Sequence, residues 1–146
     1  MKQIIYPLSI LLSFLMLTPV MVQAQDEEEI FSVVEDAPQF PGGEKARVNF
    51  IKDNLEYPES ARKNNVEGTI YITFVVEQDG SISEVELLRG IEESCNKEAL
   101  KVVKSMPKWR PGKQRGKAVR VRFNMPIRFK LEDQKTDESK KSKEKH

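Results

Sequence analysis

The sequence predicts a mixed α+β domain, and three stretches carry that prediction. Residues 44–55 place apolar side chains at helical spacing. Two segments with alternating apolar residues flank Asp79-Gly80, a pair typical of a tight hairpin turn. A third segment alternates strictly from Val119 to Leu131, as a strand with one buried face does. A chain of 146 residues accommodates one such domain with terminal extensions.

The N-terminal residues 1–24 have the composition of a secretory signal peptide. A single lysine precedes a short apolar run, Leu8–Leu17, and the small residue Ala24 precedes Gln25 at a suitable cleavage point. An uncleaved membrane anchor is the alternative, because no charge follows that lysine until Asp26 and such a run is long enough to span a bilayer.

Charged segments flank the predicted domain, which we assign to residues 44–131. Residues 25–43 are acidic and end in a cluster of prolines and glycines, which predicts an extended linker. Residues 132–146 are charged and lack apolar side chains, which predicts a disordered tail.

Three segments have helical signatures. The first is 44–55, whose apolar face consists of Ala46, Phe50, Ile51 and Leu55. A short second helix is predicted with Pro58 in its first turn. The third covers Glu93–Ser105 and places Cys95 on its apolar face. A buried, small apolar role is therefore predicted for this single cysteine, which has no second cysteine for a disulfide.

The central block predicts a β-hairpin. Its first strand alternates Ile70, Ile72, Phe74 and Val76 with polar or smaller neighbours. On the return strand, Val85 and Leu87 are predicted to face one side, and Glu84 and Glu86 the other.

The arginines of the last strand are predicted to lie on its solvent-exposed face, because they occupy the even positions between the apolar odd ones. Pro126 cannot donate a hydrogen bond to a neighbouring strand. The strand is therefore predicted to lie at an edge of the sheet, at least from Pro126 onward.

Opposite charges are concentrated in two blocks of the chain. Residues 25–98 contain 18 acids and 7 bases, a net charge of −11, whereas residues 99–131 contain 11 bases and no acid. Such blocks are expected to lie near each other in one folded unit. This balance argues against a nucleic-acid partner, since nucleic-acid-binding domains are usually basic overall. Binding of another polyanion or of anionic lipid by the basic strip 104–130 stays open as a minor alternative.

No catalytic or metal-binding constellation is recognisable. The single histidine, His146, is the last residue of the predicted tail, which removes the common nucleophilic triads and most transition-metal sites. We therefore expect neither an enzyme nor a metal or cofactor site.

The order of several short motifs resembles that of the TonB C-terminal domain family, in a version similar to those of Bacteroidetes-type bacteria. The resemblance extends over residues 40–131 and implies two helices packed on a three-stranded antiparallel sheet with an exposed edge strand. The motif residues are Tyr57, Pro58, Ala61, Gly68, Asp79, Gly80, Trp109, Pro111 and Gly112.

The resemblance also implies a periplasmic domain that captures a segment of a TonB-dependent outer-membrane receptor as an added strand, for energy transduction in transmembrane transport. The capturing strand would be about Lys117–Lys130, and an exposed strand edge is itself a template for such β-augmentation. Its predicted partner-binding residues are Lys117, Val119, Arg120, Val121, Arg122, Phe123, Asn124 and Arg128. Among these, Arg120, Arg122 and Arg128 either select acidic receptor segments or merely solvate a wet strand face.

The remaining alternatives concern how the domain is used. An anchored chain would work with an inner-membrane motor complex. A chain with a cleaved signal would be a soluble periplasmic scaffold or regulator that binds another protein and transduces nothing. Pairing of two copies through exposed strands would give a homodimer.

Overall fold

A computed structural model of the chain describes residues 29–131. The predicted signal peptide or anchor with Ala24 and Gln25, and the predicted tail 132–146, lie outside the described residues. Within 29–131, no helix is long and apolar enough to cross a membrane. The elements in chain order are β1 (Ile30–Phe31), α1 (Gly43–Asn54), α2 (Glu59–Lys63), β2 (Gly68–Val76), β3 (Ile82–Arg89), α3 (Glu93–Lys104), β4 (Gly112–Gln114) and β5 (Lys117–Phe129).

The sheet has the order β1-β5-β2-β3, with β4 paired to the start of β5. Strand β2 lies between β5 and β3 and is antiparallel to both. Its pairing with β5 is unbroken over nine positions, from Gly68 opposite Phe129 to Val76 opposite Val121. The α+β class is thus confirmed.

The number of elements differs from the one that the resemblance implied. Residues 29–131 contain three helices rather than two, because the segment after Pro58 forms the five-residue helix α2. Two short strands, β1 and β4, join the three antiparallel ones. Strand β4 forms a hairpin with β5 through Arg115 and Gly116, which both have positive φ, as a two-residue turn between antiparallel strands requires.

The core lies between the helices and one face of the sheet. The alternating residues of β2 are fully buried, as predicted, together with Met125, Ile127 and Phe129 of β5. Cys95, Ala99 and Val103 of α3 pack against them. The prediction for Cys95 is confirmed, since the residue is 0% exposed. Burial, reinforced by the nearby Glu92 carboxylate, raises the pKa of its thiol to about 11.

The acidic segment that precedes α1 is packed against the domain. Ile30 and Phe31 pair in parallel with Arg120 and Val121 of β5. Further along, Asp36 and Gln39 form bridges to residues 113 and 110, and Phe40 enters the core. From Ile30 onward this segment therefore packs against the domain, through its backbone at four positions and through the buried Phe40, whereas Val33 is exposed.

The two charge blocks meet across the sheet, as expected for one folded unit. Arg120 pairs with Glu77 at 2.8 Å, and Arg122 pairs with Glu84 at 3.2 Å. Each pair joins the basic block to the acidic one.

Candidate functional site: an open strand edge beside helix α1

The longest stretch of β5 with a free side is Arg122–Phe129. These residues pair with β2 and with no other strand among residues 29–131. Before them, Lys117 to Val119 pair with β4, while β1 covers Arg120 and Val121. Four of the eight predicted partner-binding residues therefore already pair with the chain's own β4 or β1: Lys117, Val119, Arg120 and Val121.

Pro126 indicates which main-chain groups face the open side. It lies opposite Tyr71 in the ladder with β2, and a proline in a strand is tolerated where its nitrogen points away from the neighbouring strand. Successive residues of a strand direct their N–H and C=O groups to opposite sides. We infer that the amides of Arg122, Asn124 and Arg128 face the open side, and that no donor is present at position 126.

A groove of about 420 Å³ lies between α1 and the second half of this open stretch. Residues 126–130 form one side. The other side consists of four residues of α1 and two that follow it: Arg47, Val48, Ile51 and Lys52, then Leu55 and Tyr57. Helix α1 has no fully buried residue, and Val48 is 52% exposed. An extended segment on β5 would therefore have an apolar helix face beside it.

A second, smaller groove adjoins the first half of the open stretch. Residues 121–124 of β5 line it together with Ser32, Val33 and Val34, which follow β1, and with Ala37 and Pro38. The apolar residue Val33 is 86% exposed here.

Two of the three predicted arginines, Arg120 and Arg122, have intramolecular partners. Arg120 donates from Nε and one Nη to the Glu77 carboxylate, and its other ion pair is with Glu84. Arg122 donates to Glu84. The hydrogen bond from Arg120 holds the pKa of the Glu77 carboxyl below its ordinary value, against the opposing effect of its partial burial. Because carboxylates of the same chain already neutralise these two arginines, they are poorly suited to select an acidic receptor segment.

The motif residues form the scaffold behind the edge. Trp109 is buried among Phe40, Phe74 and Phe123 and donates its backbone N–H to the carbonyl of Gly80 at 2.8 Å. The hairpin turn and the Trp109 loop are thereby joined.

The other motif residues hold neighbouring parts of the same scaffold. The Tyr57 hydroxyl donates to the Val66 carbonyl, and its ring packs edge-on against Phe129 at 5.4 Å. Ala61 is buried, Pro58 precedes α2, and Gly68 begins β2. Asp79 accepts hydrogen bonds from Ser81 within the turn, and Pro111 directly precedes Gly112, the first residue of β4.

Sequence reasoning missed the contribution of α1 to the site. Arg47, Val48 and Lys52 lie outside the apolar face that the helical spacing identified, and they line the groove. The available signal was an apolar residue, Val48, just outside a helical stripe. Among the described residues, no cluster of three or more metal-ligating side chains occurs.

Comparison with known proteins gives one family and a set of solved structures. The family model for the C-terminal region of Gram-negative bacterial TonB proteins matches residues 53–131. No curated protein matches. Two solution structures of the Helicobacter pylori TonB C-terminal domain are similar at 22% identity. One (residues 179–285) covers 57% of this chain and 76% of its own, with a TM-score of 0.45. The other (residues 194–285) covers 60% and 91%, with a TM-score of 0.46.

Proposed function

Since the chain belongs to the family of Gram-negative TonB C-terminal domains, we propose that it is a periplasmic binding domain for TonB-dependent outer-membrane receptors. A short extended segment of the receptor adds as a strand to Arg122–Phe129 of β5. One observation carries this proposal. Residues 122–129 pair with β2 on one side, and on the other side they have no strand partner within residues 29–131.

Main-chain hydrogen bonds would supply the affinity of such a complex, as in other cases of β-augmentation. The receptor segment would meet the amides of Arg122, Asn124 and Arg128 and the carbonyls of all four even positions from 122 to 128. The straight register between β2 and β5 supports the proposal, because an edge without a bulge presents these groups at regular spacing.

Asn124→Pro tests the strand addition. Asn124 is exposed and its amide is inferred to face the open side, so the proline removes one outward donor without removing a bond to β2. Asn124→Ala is the matched control, because it shortens the same side chain and keeps the amide. The full chain is titrated with synthetic peptides copied from periplasmic segments of TonB-dependent receptors.

We expect the alanine variant to bind like the unmodified chain, and the proline variant to lose at least about tenfold in affinity, from one lost hydrogen bond and the strain around it. Equal affinity of both variants, with unchanged circular dichroism, would contradict strand addition.

A second candidate function, a soluble periplasmic scaffold without transduction, is favoured by the packing of the acidic segment. The first described strand begins at Ile30, and only residues 25–29 lie between it and the predicted N-terminal signal or anchor. Five extended residues reach at most about 17 Å. An anchored domain with that connection would stay close to the inner membrane and would need a bridging partner to meet a receptor.

Cell fractionation with intact-mass measurement separates the two candidates. Retention of residues 1–24 in the inner-membrane fraction would support transduction through a motor complex. A mature chain that begins at Gln25 and is released with the periplasm would support the scaffold.

A further inference from the structure

Resting on the proposed strand addition, we propose that α1 forms a second wall of the binding site. The captured strand then lies between β5 and α1. It places apolar side chains against Val48 and Ile51, and an acidic side chain against Lys52.

The apolar part of this inference follows from the incomplete packing of α1. Phe50, Ile51 and Leu55 are only partly buried against the core, and no residue of the helix is fully buried. Val48 is exposed and lines the groove that borders residues 126–130. Alternate side chains of a strand added to β5 fall on the same face of the sheet as Ile127 and Phe129, which is the face that the helices cover. These side chains would therefore complete the packing of α1.

The charged part follows from the groove's lining. Arg47, Lys52, Arg128 and Lys130 line it, and no carboxylate does. Lys52 forms no ion pair with any residue of 29–131, unlike Lys63, Lys97 and Lys101, which pair with acids of their own helices. A carboxylate on the bound strand is the complementary group.

Arg47 adds a second basic side chain on the α1 side of the groove. Its guanidinium lies over the Phe123 ring, 5.7 Å from the centroid, and pairs with Glu44 through one Nη. Its Nε is buried and has no hydrogen-bond acceptor among the described residues. Within residues 29–131 the buried Trp109 Nε1 and Thr73 Oγ1 also lack a partner, so it is the basic lining of the groove, and not this nitrogen, that favours an acidic side chain on the strand.

The test is a charge swap on α1 with a matched control on the same helix. Lys52→Glu reverses a charge in the groove, and Lys45→Glu reverses an exposed lysine that does not line it. The probes are two capped peptides of about eight residues, the length of the open stretch. Both alternate valine and serine, and one valine near the end is replaced by glutamate in one peptide and by lysine in the other.

We expect the unmodified chain and Lys45→Glu to prefer the glutamate peptide by roughly threefold to tenfold, the range of a partly exposed ion pair and its reversal. Lys52→Glu should reverse that preference. Val48→Glu, compared with Asn49→Glu outside the groove, should weaken both peptides about tenfold, because it introduces a charge against the apolar side chains of the strand.

Asn124→Pro separates this inference from the function on which it rests. Loss of binding in Asn124→Pro together with identical preferences of Lys52→Glu and Lys45→Glu would overturn the role of α1 and leave strand addition standing. Unchanged binding in Asn124→Pro would overturn both, since the strand would then not lie on β5. Absence of binding to either peptide at millimolar concentration would also overturn both.

Discussion

The open stretch of β5 and the edge strand β3 differ in the regularity of their pairing with β2 and in the surface beside them. Strand β5 is straight over Arg122–Phe129 and has a groove with an apolar helix face beside it. Strand β3 is irregular: its register with β2 shifts twice, and Glu84 adopts a φ of 48°, the left-handed region that a non-glycine residue rarely occupies.

The charges of the two edges differ as well. Strand β3 carries Glu84, which is paired with Arg122, and the exposed Glu86; bulges and charges are devices by which proteins keep an edge from pairing. The open stretch of β5 contains no acid, and its arginine at 122 is paired within the molecule. The register shifts and the acids of β3 would disfavour an added strand there, whereas our proposal places the added strand on β5.

The apolar residues of the return strand are buried to different extents. Val85 packs against the core, as the alternation predicts, together with Ile82 three residues earlier. Leu87 is 39% exposed, and Leu88 is 57% exposed. Leu87 lies opposite the buried Ile72 and Leu88 lies at the register shift between Tyr71 and Ile72, and both belong to the edge strand, which has no further strand within residues 29–131 to cover it.

The substitution with the largest expected effect lies in the hairpin turn that joins β2 to β3. In Gly80→Ala, the new Cβ would lie 1.9 Å from the carbonyl oxygen of Trp109, at a φ of +86°. We expect a loss of about 3 kcal/mol or more in the free energy of unfolding, measured by urea denaturation. Gly116→Ala is the matched control. It has a φ of +74° and nothing within 4 Å of the new Cβ, so it should cost only about 1 kcal/mol. Equal losses would mean that the contact between Gly80 and Trp109 is unimportant.

A smaller effect is expected at the ion pair between Arg120 of β5 and Glu77, the residue that follows β2. The pKa of the Glu77 carboxyl is lower in the folded chain than its ordinary value of 4.5, chiefly because Arg120 donates to it. Its stabilisation is therefore fully present above that value and disappears as the pH falls through the folded pKa. Glu77→Gln should cost on the order of 1 kcal/mol at neutral pH.

The melting temperatures of Glu77→Gln and of the unmodified chain should become equal at a pH below the folded-state pKa of Glu77. Glu93→Gln is the control. Its fully exposed pair with Lys97 should leave the melting temperature nearly unchanged. A constant difference between Glu77→Gln and the unmodified chain at every pH would contradict this assignment.

The smallest effect sharpens the description of β3. Glu84→Gly and Glu84→Ala lose the same carboxylate, but only glycine accepts the positive φ without strain. We expect the glycine variant to be more stable than the alanine variant by roughly 0.5–1 kcal/mol. At Glu86, where φ is not positive, the order of the two variants should be the opposite. The same order at both positions would show that the bulge stores no backbone strain.

Much of the fold was predictable, because the relevant signals are local. The alternation from Val119 to Leu131 and the Asp79-Gly80 turn are short-range patterns, and both are found as predicted. The pairing of Ile30–Phe31 with β5 was not predictable, since a two-residue strand has no periodicity and its partner lies about 90 residues away.

The candidate site was predictable only in part. Pro126 marks the edge from sequence alone, but the position of α1 beside that edge is a tertiary feature. Helical spacing identifies the residues that face the core, and the groove is formed by neighbours of that face, Val48 and Lys52. The partners of Arg120 and Arg122 also come from strands distant in sequence.

The most direct test of the difference between the two edges is a two-dimensional amide spectrum of the isotope-labelled full chain, recorded with and without a receptor-derived peptide. The account predicts that the amide signals of Arg122, Asn124 and Arg128 shift and become protected from hydrogen exchange, while those of Glu84 to Arg89 in β3 stay unchanged. Shifts confined to β3, or none on β5 at millimolar peptide, would contradict it.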